Sequence, residues 1–285
     1  MLSRVRTYAS FIRFSHSVFA LPFALVGAIL AARTTPFTWD RLIWIVLCMV
    51  SARSAAMGFN RLVDAGFDAR NPRTAMRELP AGRMSVGEAK IFVGVSSVVF
   101  IASSYPLGGM CFVLSPVALA IVFWYSLAKR VTSFTQAFLG LAMAVAPVGG
   151  WLAAGGAASA LEPWILGLAI GCWVGGFDIL YACQDVDFDR REGLHSIPTR
   201  FGVARSITIS RALHVLTIVA LVAVGVRASL GPVYAAGVAL VALLLVWEQS
   251  LVSASDLSQV KRAFDMNGWV GVLYLATTAL AVYWR

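Results

Sequence analysis

Nine apolar runs, each near the length that crosses a bilayer, leave this 285-residue chain little sequence for anything but a membrane bundle. They fall at about residues 14–32, 40–60, 89–110, 111–128, 134–154, 162–183, 204–226, 229–251 and 267–284. A helix needs ~20 apolar residues to span the ~30 Å hydrocarbon layer. Inside that layer every backbone N–H and C=O must be paired within the protein, which a helix does by itself. The runs, bounded by Gly, Pro and charges, predict membrane-spanning helices. With 59% hydrophobic and 13% charged residues, the composition argues against a soluble domain of this size. The expected fold is an all-α integral membrane protein, a single bundle over residues 1–285.

The run at 14–32, with Arg4, Arg6 and Arg13 before it, imitates a signal peptide but is long for an h-region and lacks an A-x-A cleavage site. It reads as the first span. The net charge of +9 would suggest nucleic acid in a soluble protein. Here no basic block with interleaved aromatics lies outside the spans, so no nucleic-acid partner is expected. Placing the N-terminus in the cytoplasm puts 19 of the 23 Lys and Arg on that side and leaves Arg33, Arg41, Arg227 and Arg285 on the other. This is the bias of an inner-membrane protein inserted N-terminus inside. Cys48, Cys111, Cys172 and Cys183 have no metal-site spacing among themselves or with His16, His195 and His214, so neither a disulfide framework nor a zinc site is expected.

Two connections on the cytoplasmic side, 64–88 and 184–202, hold most of the acids and many of the arginines. Each follows an even-numbered span, and their acidic centres repeat at an offset of 121 residues, Asp64 and Asp68 against Asp185 and Asp189. That predicts two four-helix repeats, about 1–130 and 131–251, followed by a ninth helix, with helical caps formed by these loops. The first motif is Asn60-x-x-x-Asp64-x-x-x-Asp68 and the second Tyr181-x-x-x-Asp185-x-x-x-Asp189. Residues four apart share a helix face, so each motif aims two carboxylates from the mouth of a span. Carboxylates gathered this way repel unless a cation lies between them. Mg²⁺ binds through one or two carboxylates together with substrate phosphate oxygens, so the motifs suit metal ions that grip a diphosphate. Arg73, Arg77, Lys129 and Arg130 would add positive charge for that group. The plainer reading is that these charges only solvate helix ends. Within the spans, Arg53 lies seven residues before Asn60 and Asp178 seven before Asp185, two turns deeper on the same faces. Intramembrane charges are functional candidates, although an Arg53–Asp178 ion pair locking two helices would also explain both.

With these motifs the chain resembles the UbiA superfamily of intramembrane aromatic prenyltransferases. Arg73-Thr-Ala-Met-Arg77-Glu-Leu-Pro-Ala-Gly82 is similar to the family's R-T-x-x-R-x-L-P-x-G, with Glu78 where many members carry proline. Tyr125-x-x-x-Lys129-Arg130-x-Thr132 is similar to Y-x-x-x-K-R-x-T, and Asp178-x-x-Tyr181-Ala182-x-x-Asp185 to D-x-x-Y-A-x-x-D. Ser196 and Phe201-Gly202 fit the K-S…F-G that follows, with His195 in place of Lys. The opening Arg13-Phe-Ser-His16 through Pro22-Phe23 looks most like members of quinone biosynthesis, acting on 4-hydroxybenzoate or on a dihydroxynaphthoate.

The resemblance implies Mg²⁺-dependent transfer of a polyprenyl group from its diphosphate to a ring carbon of an aromatic carboxylate, in ubiquinone or menaquinone biosynthesis. Asp64, Asp68, Asp185 and Asp189, assisted by Asn60, would hold the metal at the cytoplasmic face, and the polyprenyl tail would lie against the lipid bilayer. Arg13 is the expected carboxylate anchor for the acceptor and Arg53 its competitor. His16 would orient a phenol or act as a base, unless it is a satisfied interfacial histidine, and Asp178 and Tyr181 would shape the acceptor pocket. A haem or other acceptor within the superfamily is an alternative. From another class comes a secondary transporter, whose site would lie at the midplane on interrupted helices. A CDP-alcohol phosphotransferase fails because no second D-x-x-x-D follows Gly82. Glu248 and the 256–265 loop read as interfacial anchors, and Trp39, Trp44, Trp151, Trp164 and Trp284 as an aromatic belt.

Overall fold

The computed structural model of the protein describes residues 2–12, 14–36 and 38–284, without the side chains of residues 2–3, 5–6, 9 and 14–19. Arg13 and the side chain of His16 therefore lie outside the described residues. Helices run in chain order as α1 (Leu2–Phe11), α2 (Phe14–Ala31), α3 (Trp39–Arg70), α4 (Val86–Ser104), α5 (Gly109–Ala128), α6 (Thr135–Ala153) and α7 (Glu162–Ala182). They continue as α8 (Val186–Arg191), α9 (Ile197–Phe201), α10 (Val203–Arg227), α11 (Gly231–Ser250) and α12 (Val260–Tyr283). No strand occurs among the described residues. Among the described residues eight helices are long and apolar enough to cross a membrane, and Ala20–Ala31 of α2 forms a shorter apolar helix. The chain is a multi-pass membrane protein.

Sequence signals account for the helix ends. α3 runs ten residues past the predicted end at 60 because nothing stops it before Asn71-Pro72. A residue preceding proline is pushed out of the helical region, and Asn71 is extended at ψ 116°. Ser85 and Glu88 form a reciprocal capping box at the start of α4. Gly108, at φ +121° between a 3₁₀ turn over 105–107 and α5, occupies a conformation that side-chain-bearing residues rarely adopt. α1 is an addition to the predicted layout. It docks through Tyr8 and Phe11, whose rings pack on Phe92 of α4.

The bundle is held by close helix approaches and by a buried aromatic centre. Gly27 and Gly150 bring α2 and α6 together so tightly that a Cβ on either would run into the carbonyl of Pro147 or Ala24, and Gly140 meets the Gly171 carbonyl of α7 in the same way. Small residues at crossings are how membrane helices gain packing without a hydrophobic driving force between them. Trp173 of α7, 1% exposed, lies edge-on to Phe23 at 5.0 Å and to Phe177 at 6.4 Å. Its indole N–H donates to Asn267 Oδ1 of α12 at 2.6 Å. Replacing Asn267 with Leu strands that donor, and a buried unsatisfied group costs about 1–3 kcal/mol. The expected result is a lowered thermal midpoint in detergent, while an unchanged midpoint would show the indole satisfied elsewhere.

Two expectations are corrected here. Glu248 is no interfacial anchor: it is 1% exposed inside the bundle, with Gln249 beside it donating to Ser210 Oγ at 2.7 Å. Trp151 is no belt residue either, being 6% exposed with its indole N–H donating to the Ala157 carbonyl, whereas Trp39, Trp164 and Trp284 are exposed as a belt requires.

Candidate active site

The extension of α3 beyond its apolar stretch places Asn60, Asp64 and Asp68 on one helical face, four residues apart. The second motif is built differently. Tyr181 ends α7, Asp185 lies in a 3₁₀ turn over 183–185, and Asp189 is on α8, so this motif turns across the cavity mouth instead of following one continuous face. Both motifs line one cavity of about 320 Å³, together with Arg53, Arg73, Arg77, Lys129 and Asp178. Their juxtaposition is direct, because Arg70 pairs with Glu192 at 2.6 Å and Arg73 with Asp185 at 2.6 Å, each linking the first acidic loop to the second.

The four basic residues singled out in the sequence reach the aspartates themselves. Lys129 Nζ lies 2.6 Å and Arg130 Nη2 3.0 Å from the two oxygens of Asp64. Asn60 Nδ2 donates to the same carboxylate at 3.3 Å. Arg77 Nη1 donates to both oxygens of Asp68, at 2.7 and 2.8 Å. Arg73 uses Nη2 for Asp185 and Nη1 for the Tyr181 hydroxyl at 2.7 Å. Asp64 and Asp68 are 3% and 6% exposed, a burial such pairing makes tolerable. Asp189 differs, since its carboxylate has no hydrogen-bond or ion-pair partner among the described residues although it lines the same cavity.

Deeper in the cavity stand Arg53 and Asp178. The expected ion pair between them is absent, and Arg53 Nε is a buried donor with no partner. Arg53, Tyr125, Leu139 and Met143 line a second cavity as well, an apolar one of about 660 Å³ bounded chiefly by α3, α5, α6 and α7. One site therefore has a charged mouth, a polar neck at Arg53 and an apolar depth.

Phe67, Phe177 and Phe264 contribute without having been singled out in the sequence, and the His195 backbone adds a further link. The Phe67 ring carries the cations of Arg70, Lys129 and Arg130 within 5.1–5.8 Å of its centroid; its place between Asp64 and Asp68 was the available signal. Phe177 and Phe264 form a wall beside Tyr181, with ring centroids 5.5 and 4.8 Å apart along that chain. The His195 amide donates to the Lys129 carbonyl at 2.7 Å, tying the second loop to the Lys129-Arg130 turn.

No group of three His, Cys, Asp or Glu residues converges among the described residues, so the donor set does not make an all-protein metal cage. It does fit a cation held by one or two carboxylates at a time that completes its shell with phosphate and water oxygens, and the unpartnered Asp189 is a ready ligand.

A membrane bundle with paired aspartates at one mouth and an apolar chamber beneath defines a class, the intramembrane prenyltransferases. The sequence profile of the UbiA prenyltransferase family matches residues 20–271, and the chain belongs to that family. It is 32% identical over 259 residues to a 4-hydroxybenzoate octaprenyltransferase of Vibrio parahaemolyticus, covering 90% of this chain and 89% of the relative. To the protein of that name from Marinobacter nauticus it is 33% identical, covering 88% and 85%. Among solved structures, a UbiA homolog from Aeropyrum pernix K1 superposes with a TM-score of 0.85 at 35% identity, covering 92% of this chain and 96% of that one. A UbiA homolog from Archaeoglobus fulgidus bound to GPP and Mg²⁺ shares the fold, with a TM-score of 0.71 at 18% identity over 97% and 99% of the two chains. The protein is a prenyltransferase.

Proposed function

We propose that the protein transfers a polyprenyl group from its diphosphate to a ring carbon of 4-hydroxybenzoate in ubiquinone biosynthesis, with Mg²⁺ as cofactor. The observation that carries this reading is the convergence of Asp64, Asp68, Asp185 and Asp189 on one cavity whose neck holds Arg53, with its Nε buried and without a partner. Relatives named 4-hydroxybenzoate octaprenyltransferase support the acceptor, and a homolog bound to GPP and Mg²⁺ supports the diphosphate and the metal. A dihydroxynaphthoate, which also carries a carboxylate beside a phenol, is the second acceptor to test.

Asp64, Asp68, Asp185 and Asp189 would hold Mg²⁺, which when bound would supply positive charge against that building on a departing diphosphate. The chain's own residues do the rest. Arg73, Arg77 and Lys129 line the cavity beside the carboxylates, Arg130 pairs with Asp64, and such cations suit phosphate oxygens as well as carboxylates. Asn60 orients Asp64 and bridges to Ser126 Oγ at 3.4 Å. The bond between the prenyl C1 and the diphosphate oxygen breaks with its electron pair leaving on oxygen. The allylic cation is then attacked by the ring carbon ortho to the phenol oxygen, and the ring proton passes to the released diphosphate, restoring aromaticity. No covalent nucleophile is needed, only positioning and exclusion of water. Phe177, Tyr181 and Phe264 provide an aromatic wall of mutually tilted rings for the acceptor, and Asp178 lines the same space.

Arg53 is the acceptor's carboxylate anchor in this reading, with Arg13 and His16 as the alternative pair. Arg53→Leu is expected to raise the KM for 4-hydroxybenzoate at least tenfold, the loss of one charge-assisted hydrogen bond of about 1.5–3 kcal/mol, with a smaller effect on the KM for the diphosphate. An unchanged acceptor KM would move the anchor to Arg13. Turnover of 4-hydroxybenzoate, the two common dihydroxynaphthoates and a haem, compared by product mass, tests the acceptor itself, and preference for any of the other three would overturn that assignment. The distribution of Lys and Arg supports insertion in the inner membrane with the N-terminus and the aspartates at the cytoplasmic face.

A further inference from the structure

We propose that Glu78 is a positioning residue for the diphosphate: through Ser10 it fastens α1 to the 71–84 loop, and that fastening keeps Arg77 turned into the cavity. This rests on the prenyl-transfer reading above and adds to it a residue that touches neither substrate.

Glu78 is 4% exposed and does not line the cavity of the aspartates. A carboxylate taken out of water needs hydrogen-bonded partners. The Ser10 hydroxyl of α1 supplies one by donating to Glu78 Oε1, a charge-assisted bond of the stronger kind. The Glu78 carbonyl accepts the amides of Arg83 and Met84 at 2.9 and 3.2 Å, so one residue holds the outer turn of the loop by backbone and side chain together. At the inner end the Thr74 hydroxyl donates to the Asp68 carbonyl at 3.1 Å, and the Arg77 amide donates to the Thr74 carbonyl at 3.0 Å. Arg77 therefore stands between two fastenings, one to α3 and one to α1. Its Nη1 is taken by both oxygens of Asp68, which leaves Nε and Nη2 for phosphate oxygens.

The surroundings of α1 suit it to this task. Phe11, Ile12, Met84 and Ala89 form a small core apart from the main one, with Tyr8, Leu79 and Phe92 packed against it. Leu79 and Met84 lie at the two ends of the turn that Glu78 opens, so the same small core takes in both. The last residue of α1 also reaches α3, because Arg61 Nε donates to the Phe11 carbonyl at 3.4 Å. Cations are favoured at the carbonyls that end a helix. Arg61 is 4% exposed and lines the cavity three residues before Asp64. One ten-residue helix thus touches the loop of Arg77 and the helix of Asp64 at once. Released from α1, the loop would be held only by Thr74 and its own ends, and a ligand would have to order it on binding, which costs affinity. Arg73 needs no such support, since it is tied to Asp185 and Tyr181 across the cavity.

The test compares the KM for geranyl diphosphate with that for 4-hydroxybenzoate in Ser10→Ala, Glu78→Ala and the double variant. Either single change is expected to raise the diphosphate KM at least fivefold while the acceptor KM stays within twofold. Ser10→Thr keeps the hydroxyl and is expected to stay within twofold of the parent for both. Residues that act as a unit give non-additive changes, so the double variant is expected to match Glu78→Ala alone. Equal rises in both KM values would reduce Glu78 to general packing, and multiplied effects in the double variant would show that it does not act through Ser10; either overturns the proposal. Amide hydrogen exchange reads the fastening without activity. In Ser10→Ala the amides of Arg77, Ala81, Arg83 and Met84 are expected to exchange at least fivefold faster, with those of α6 and α7 unchanged, and unaltered exchange across 71–84 would overturn the proposal. A parent protein that binds neither geranyl diphosphate nor inorganic diphosphate with Mg²⁺ would sink the prenyl-transfer reading, and the exchange rates would still decide whether Ser10 and Glu78 hold the loop.

Discussion

Asp189→Asn is expected to lower kcat/KM by 100-fold or more, as severely as Asp64→Asn or Asp185→Asn. The comparison is informative because the four aspartates differ in what they touch. Asp64, Asp68 and Asp185 hold cationic side chains, so losing any of them would disturb the site even if the acids only paired with arginines. Asp189 holds none among the described residues, and on a purely structural account its replacement by a near-isosteric amide would be harmless. If it ligates a metal bridging to a diphosphate, the amide removes a full charge opposite the leaving group. Loss of one such electrostatic partner is typically worth 10²–10³ in rate, about 2.7–4 kcal/mol. The check is steady-state kinetics with the thermal midpoint measured alongside. Near-normal turnover in a folded Asp189→Asn protein would remove the second motif from metal binding. Glu192→Gln serves as the contrast, since it loosens the Arg70 pair at the loop surface, and exposed pairs contribute roughly 0–1 kcal/mol.

Gly150→Val carries the largest expected effect on the fold. The added Cβ would fall against the Ala24 carbonyl of α2, so α2 and α6 must separate along a crossing that also includes Gly27 against Pro147. Overpacking of a tight interior costs typically about 1–3 kcal/mol and more when backbone is the obstacle. The separation would also open contacts beneath Phe23 and Trp173. Most of the protein is expected to be lost to aggregation on detergent extraction, with a strongly lowered thermal midpoint in what remains. The adjacent Gly149→Ala is expected to match or slightly exceed the parent in stability, because its Cβ enters open space and alanine is the better helix former by about 1 kcal/mol. If the two variants behaved alike, the close α2–α6 approach would not be a determinant of the fold.

Much of this was legible in the sequence because membrane helices announce themselves by hydropathy and the aspartates by their repeated spacing. Hydropathy, however, marks where lipid ends and not where a helix ends. α3 therefore outran its predicted limit by a full site's length, held helical until Asn71-Pro72. Spacing by fours implies a shared face only on one unbroken helix, which α3 provides and the 3₁₀ turn at 183–185 denies to the second motif. Glu248 was misplaced because a lone acid near a predicted span end reads as interfacial, and only the tertiary packing of α11 and α12 puts it inside. Arg53 and Asp178 both line the cavity, yet their pairing depended on side-chain geometry that no sequence pattern encodes, and they stand apart. Phe67 and Glu192 were passed over because aromatic and acidic residues at loop mouths have many ordinary explanations.

Metal-assisted prenyl transfer at the paired aspartates is tested most directly by mass-spectrometric detection of product from the membrane-embedded protein. The protein would be given geranyl diphosphate and 4-hydroxybenzoate, with Mg²⁺ or with excess chelator. Prenylated 4-hydroxybenzoate is expected with Mg²⁺ and none with chelator. Product formed equally well in chelator, or no prenylated product from folded protein in either condition, would contradict it.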